Sequence, residues 1–233
     1  MKDFNDAHHF DIMAGYEWQK FHEKSDWFGT GYYQNGYLEF DTNRPYNTPS
    51  ADEITKYETE NYLVSFFGRL NYSLLDRYLV TFTIRDDGSS RFHKDNRWGI
   101  FPSVALAWKI NEEPFMKKLT AVSDMKLRLG WGITGQQNVG GSAGDYYYLD
   151  TFTPNKDHAY YPLFGDGTTA RPDATNKDLT WEKTTTWNAG LDLGFLNNRL
   201  SFSLDWYYRK TKDLINTVYV EAGSTFRNKL TSN

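Results

Sequence analysis

The chain of 233 residues contains no cysteine, only seven prolines and no long hydrophobic run. Each absence closes a class of explanation. Without thiols there is neither a disulfide framework nor a thiolate metal site. No stretch approaches the roughly 18 consecutive apolar residues of a membrane helix, and the mean hydropathy is −0.71. A net charge of −4, with no basic block, gives no sign of a nucleic-acid partner. The N-terminal MKDFNDAHHFDIM lacks the basic start and apolar middle of a signal peptide. What the chain has in excess is aromatic residues, 18% of the total, within a hydrophobic fraction of only 39%.

Those aromatics fall in alternating runs. In SFFGRLNY, Phe66, Gly68, Leu70 and Tyr72 alternate with Ser65, Phe67, Arg69 and Asn71. Strand side chains point to opposite faces with a period of two, so one face is greasy and the other polar. RYLVTFTIRDD repeats the split with Tyr78, Val80, Phe82 and Ile84 against Thr81, Thr83, Arg85 and Asp87. SVALAWKI sets Val104, Leu106, Trp108 and Ile110 against Ser103, Ala105, Ala107 and Lys109. Counting further runs, seven strands are expected at about 8–19, 62–72, 77–87, 99–110, 124–134, 181–195 and 199–209. Trp18, Trp108, Trp131, Trp187 and Trp206 all fall on the greasy parity, several near strand ends, as girdle residues at a membrane interface do.

The connections alternate in length. Segments 20–61, 88–98, 135–180 and 210 onward are long and polar; 73–76 and 196–198 are tight, and 111–123 is a modest excursion with a helical turn expected around Pro114 to Leu119. Outer-membrane barrels have short periplasmic turns and long extracellular loops. The fold class expected is therefore all-β, an antiparallel transmembrane β-barrel, present here in part. An Arg on the lipid side at mid-membrane costs about 2–4 kcal/mol, so Arg69, Arg85 and Arg128, with Asp192 and Asp205, are assigned to the lumen. Half-buried sheets of soluble proteins also alternate. A soluble all-β carbohydrate-binding module and a passive porin therefore remain as alternatives.

The stretch SFFGRLNYSLLDRYLVTFTIRDDGSSRFHKDNRWGIFPSVALAWKINEEPFMK resembles the barrel signature of the SusC/RagA-like TonB-dependent outer-membrane transporters. FDIMAGYEWQK at 10–20, VSDMKLRLGWGITGQQ at 122–137 and DLTWEKTTTWNAGLDLGFLNNRLSFSLDWYYRKTKDLI at 178–215 resemble other barrel strands of that family in the same order. The resemblance implies an arc of about seven strands in a barrel of about 22, residues 1–233 being a fragment of the barrel domain without plug, TonB box or terminal strand. It further implies an outer-membrane location in a Bacteroidetes-type cell and import of oligosaccharide or peptide. The partners it implies are TonB, acting through a region outside this chain, a SusD-like lipoprotein and outer-membrane lipid. Met1 and the polar ending FRNKLTSN fit an excerpt of a longer protein.

No catalytic constellation is expected. His8, His9, His22, His93 and His158 match no zinc spacing. Asp86-Asp87-Gly88 lacks the acidic alternation of a calcium loop and reads as a hairpin-loop turn, and Glu112-Glu113 reads as a solvated turn. Gln136 to Asp145 is glycine-rich but has no phosphate-binding ending, and reads as a surface loop. No cofactor and no metal is implied. For substrate binding, the candidates are the loop aromatics Trp27, Tyr32, Tyr33, Tyr37, Tyr146, Tyr147, Tyr148, Tyr160 and Tyr161, whose faces can stack on a sugar while a polar tip hydrogen-bonds. Loop-to-loop packing is the competing role for the same residues.

Overall fold

The computed structural model describes residues 2–5, 7–28, 32–34, 37–39, 54–119, 121–138, 146–150, 152–154, 170–172, 175–219 and 228–232. Its main strands are β1 (Lys2–Asn5), β2 (His8–Phe28), β3 (Ile54–Leu74), β4 (Tyr78–Ser89), β5 (Trp98–Lys109), β6 (Val122–Gln136), β7 (Glu182–Phe195) and β8 (Leu200–Lys212). Among the described residues they form one antiparallel sheet in which every strand pairs with its neighbours in sequence. That is the meander an up-and-down barrel wall requires.

Register decides the faces. One lateral row runs Ile12, Leu70, Phe82, Val104, Trp131, Trp187 and Tyr208 across seven strands without a polar member. The row beside it, Met13, Arg69, Thr83, Ser103, Gly132, Thr186 and Arg209, carries the polar groups. Slipping β3, β4, β6 or β8 by a single residue would move Arg69, Arg85, Arg128 or Arg209 onto the greasy face, so the ladder holds one register.

The tight turns lie at one end of the sheet. Leu75 and Asp76 both take φ of 53°, as the central residues of the turn that the Arg77 amide closes onto the Leu74 carbonyl at 3.0 Å. The Leu75 amide donates to the Ala7 carbonyl at 2.7 Å, tying this turn to the one before it. At the β7–β8 turn, Leu196, Asn197 and Asn198 are all left-handed, and the Asn197 amide donates to Ser123 Oγ at 2.7 Å.

Among the described residues no second layer covers the greasy face. Ile12 is 75% exposed and Leu204 73%, Phe82 and Leu106 are also exposed, and Leu191 is half-buried. A soluble sandwich would enclose these side chains together; a membrane wall presents them to hydrocarbon. The compact apolar cluster lies instead at the long-loop end, where Phe92, Phe101, Leu179 and Trp181 pack together. Pairing of β5 with β6 reaches only to Ser103 opposite Gly132, beside Pro102, which has no N–H to donate. Past that point the Phe101 ring lies over Gly135, where an added Cβ would come within 2.1 Å of it. Trp181 packs on the other side of Phe101 at 5.3 Å and donates its indole N–H to the Arg97 carbonyl at 2.9 Å. The cluster closes the gap that the ladder leaves.

Four expectations change. Strands β2 and β3 run well beyond 19 and 62, because polar pairs continue the ladder: Lys20 with Glu60 at 2.7 Å, His22 with Glu58 at 3.0 Å and Lys24 with Glu58 at 3.7 Å. Asp86 to Ser89 lie on β4 rather than in a hairpin turn, since β3 and β5 extend far enough to pair with them on both sides. Ile110 falls beyond β5, in a 3-10 turn (Ile110–Glu112) that buries it rather than turning it outward. A second 3-10 turn, Met116–Lys118, supplies the helical turn expected after Pro114.

Glu113 is the last of the four. It is only 7% exposed, not solvated. It accepts from the Tyr78 hydroxyl at 2.6 Å and from the Trp108 indole at 3.0 Å, with Arg77 at 3.6 Å. The 3-10 turns fold the chain back across the ends of β4 and β5, which brings the carboxylate under two interface aromatics stacked at 6.3 Å. The Tyr78 hydrogen bond first, then Trp108 and the Arg77 charge, hold its carboxyl below the ordinary 4.5.

Candidate functional site

The polar face of the sheet carries two arginine clusters, each built from three adjacent strands. On β4, Arg85 donates from Nη2 to Glu17 Oε2 of β2 and to Ser65 Oγ of β3, both at 2.8 Å, and from Nε to Asp87 Oδ1 at 2.6 Å. Its guanidinium sits 5.7 Å from the centroid of Phe67. That ring lies flat because its neighbour across the ladder is Gly15, where a Cβ would come within 2.3 Å of the ring. Glycine here makes room for the aromatic that supports the arginine.

On β6, Arg128 donates from Nε and Nη2 to the two oxygens of Asp192 on β7, and from Nη2 to Asp205 Oδ1 of β8 at 2.9 Å and Ser203 Oγ at 3.2 Å. Gly190 lies beneath it, with space that a Cβ would take from the guanidinium at 2.8 Å. Arg69 donates to Thr83 Oγ1 at 3.3 Å. Nearer the tight-turn end of the same three strands as the Arg85 cluster, Asn71 bridges Asp11 at 3.1 Å and Thr81 at 2.8 Å. Arg69, Arg85, Arg128, Asp192 and Asp205 thus share the face assigned to the lumen, and Arg85 and Arg128 are each held by two carboxylates.

The aromatic candidates divide by position. The Tyr146 hydroxyl donates to the Glu60 carbonyl and lies 3.3 Å from Ser90 Oγ; Tyr148 donates to the Ser90 carbonyl at 3.4 Å and meets His93 edge-on at 5.7 Å. Tyr147 packs against the Phe92 cluster, and its carbonyl accepts from the Asn176 amide at 3.1 Å. These three tyrosines therefore join the segment at 146–150 to β3 and to the connection after β4. Trp27, expected in a loop, is on β2 opposite Thr55, for the reason already given for that strand's length. Tyr32, Tyr33 and Tyr37 lie in a short hairpin of Tyr32–Gln34 with Tyr37–Glu39. Tyr160, Tyr161, His158 and most of the glycine-rich segment lie outside the described residues.

The closing cluster of Phe92, Phe101, Leu179 and Trp181 was not among the candidates. Its signal was present: Phe101 puts a large ring on the polar parity, next to a proline within a strand.

The family model described as "TonB dependent receptor-like, beta-barrel" matches residues 3–232. The TonB-dependent receptor SusC of Bacteroides thetaiotaomicron is 54% identical over 97% of this chain, and TonB-dependent receptor P39 of Formosa agariphila is 35% identical over 97%. The chain spans 22% and 21% of the lengths of those two relatives. Among solved structures, the RagAB peptide transporter superposes with a TM-score of 0.77 at 27% identity, over 99% of this chain and 24% of that one. A ferric enterobactin receptor of Pseudomonas aeruginosa shares the fold at a TM-score of 0.54 and 14% identity, over 97% of this chain and 29% of that one. With its eight-stranded sheet greasy on one face and charged on the other, the chain belongs to the TonB-dependent receptor family, as part of an outer-membrane β-barrel of the SusC/RagA type.

Proposed function

We propose that the full-length protein imports oligosaccharide or peptide across the outer membrane, energised through TonB and assisted by a SusD-like surface lipoprotein, and that this chain supplies part of the barrel wall. The observation that carries the reading is the state of the lumen cations. Arg85 and Arg128 are each neutralised by two carboxylates of neighbouring strands, while Arg69 on the same face is held by the Thr83 hydroxyl, so at the two clusters the wall offers hydrogen-bonding groups rather than a free cation to trap an anionic solute. That suits a neutral, hydroxyl-rich or amide-rich cargo. In the same proposal Trp27, Tyr32, Tyr33, Tyr160 and Tyr161 stack on the cargo at the long-loop end, and Tyr146, Tyr147 and Tyr148 hold the rim they work from.

The test is uptake of labelled oligosaccharides and peptides by cells carrying the full-length protein, with and without TonB. Import is expected to stop without TonB. Import that continues undiminished would remove the energised mechanism and return a passive pore.

A further inference from the structure

Two hairpins carry basic residues on the lipid-facing parity just beyond their last outward aromatics, and they treat them differently. On β2 and β3, past Trp18, the cations Lys20, His22 and Lys24 are matched across the ladder by Glu60 and Glu58. On β7 and β8, past Trp187 and Tyr208, the cations are Lys183, Lys210 and Lys212. Lys183 stands directly opposite Lys212, and Lys210 opposite Thr185. None of these three forms an ion pair with the described residues, and the nearby Glu182 lies on the other parity, accepting from the Ile215 amide at 3.2 Å. Thr184 and Thr211, which bridge at 2.9 Å, also face the lumen side.

Like charges directly opposite on a ladder repel. Such a pair is sustained where an anion lies between its members. Trp187 and Tyr208, packed at 5.6 Å, mark the interface on these strands. At about 3.3 Å per residue and a tilt of about 40°, Lys210 stands roughly 5 Å beyond them and Lys183 and Lys212 roughly 10 Å beyond, at the long-loop end and at head-group depth. Diagonal neighbours on a ladder are about 7–8 Å apart, a spacing at which one phosphate group reaches more than one ammonium.

We infer that Lys183, Lys210 and Lys212 form a docking site on the outer wall for the phosphorylated head group of an anionic outer-leaflet glycolipid. The inference rests on the outer-membrane location and not on the transport reading. A lipid is the occupant because the three lysines share a face with Trp187, Trp206 and Leu204, all exposed, which would lie along its acyl chains. The paired cations of β2 and β3 leave no such vacancy of charge.

The full-length protein in detergent, titrated with phosphorylated lipid A and with chemically dephosphorylated lipid A, tests the site by native mass spectrometry. Each lysine near an anionic surface contributes about five-fold in affinity. Lys183→Gln with Lys210→Gln and Lys212→Gln is expected to weaken phosphorylated lipid A by about 100-fold, to the level of the dephosphorylated lipid. Lys20→Gln with Lys24→Gln is expected to leave binding unchanged, and Lys212→Gln alone, at the last residue of β8, to lose about five-fold. Equal binding of the two lipids, or a triple variant that binds as the unaltered protein does, would overturn the proposal. The second outcome would point to an acidic side chain of a neighbouring strand as the anion.

Discussion

Arg128 and Asp192 meet on the diagonal of the β6–β7 ladder, joined by Nε to Oδ2 at 2.8 Å and Nη2 to Oδ1 at 2.9 Å, while Gly190 stands directly opposite Arg128. The missing side chain is what lets the planar guanidinium lie across the ladder and reach Asp205 two strands away.

Lysine in place of Arg128 keeps the charge and loses the fork. Because the pair is about a third exposed, Arg128→Lys is expected to cost under about 1 kcal/mol, and Arg128→Ala more, since two carboxylates then face each other without a cation. Urea midpoints of the full-length protein folded into vesicles measure this. A lysine variant as stable as the unaltered protein would show that bidentate geometry contributes nothing here.

The two faces respond oppositely to charge. Leu129→Arg places a cation in hydrocarbon and is expected to cost about 2–4 kcal/mol. Ala105→Arg, on the lumen side of the adjacent strand, is expected to cost under about 1 kcal/mol. Comparable losses at the two sites, read from vesicle folding equilibria, would contradict the assignment of faces.

Among the glycines, position decides tolerance. Alanine at Gly135 would press on the Phe101 ring, which is itself held by Trp181, so about 1–3 kcal/mol of overpacking is expected. At Gly68 the nearest atoms to an added Cβ are 3.8 Å away, an ordinary contact, and alanine is expected to be neutral or slightly stabilising. Equal thermal shifts for the two variants would rule out the Phe101 cluster as a rigid closure.

Glu113 predicts a pH dependence. Its folded carboxyl titrates below the ordinary 4.5, chiefly because the Tyr78 hydroxyl donates to its ionised form. Its contribution to stability is therefore fully present above 4.5 and is lost as pH falls through the lower folded value. Glu113→Gln is expected to lower stability at pH 7 and to flatten the decline of stability between pH 7 and pH 3. A variant whose profile parallels that of the unaltered protein would refute the linkage.

The membrane wall was legible because period-two alternation is local: each pair of adjacent residues states which faces the lipid, as in Ser103 to Lys109. Its lower turns were legible too, from the shortness of 73–76 and 196–198. Where the outward residues turn polar the same signal vanishes, so the upper halves of β2 and β3 read as loop although Lys20, His22 and Lys24 pair as regularly as the aromatics below them. Glu113 was illegible for another reason. Nothing within a few residues tells that Tyr78, 35 positions away, donates to it.

From the amino-acid order alone came the strand faces, the alternation of short and long connections and the family, because each depends on neighbours along the chain. Only the tertiary structure decided which charges are neutralised, which glycines lie under rings and which lysines stand opposed, because those depend on register between strands separated by loops of any length. Register is set by summing many cross-strand contacts at once, and no single segment contains that sum.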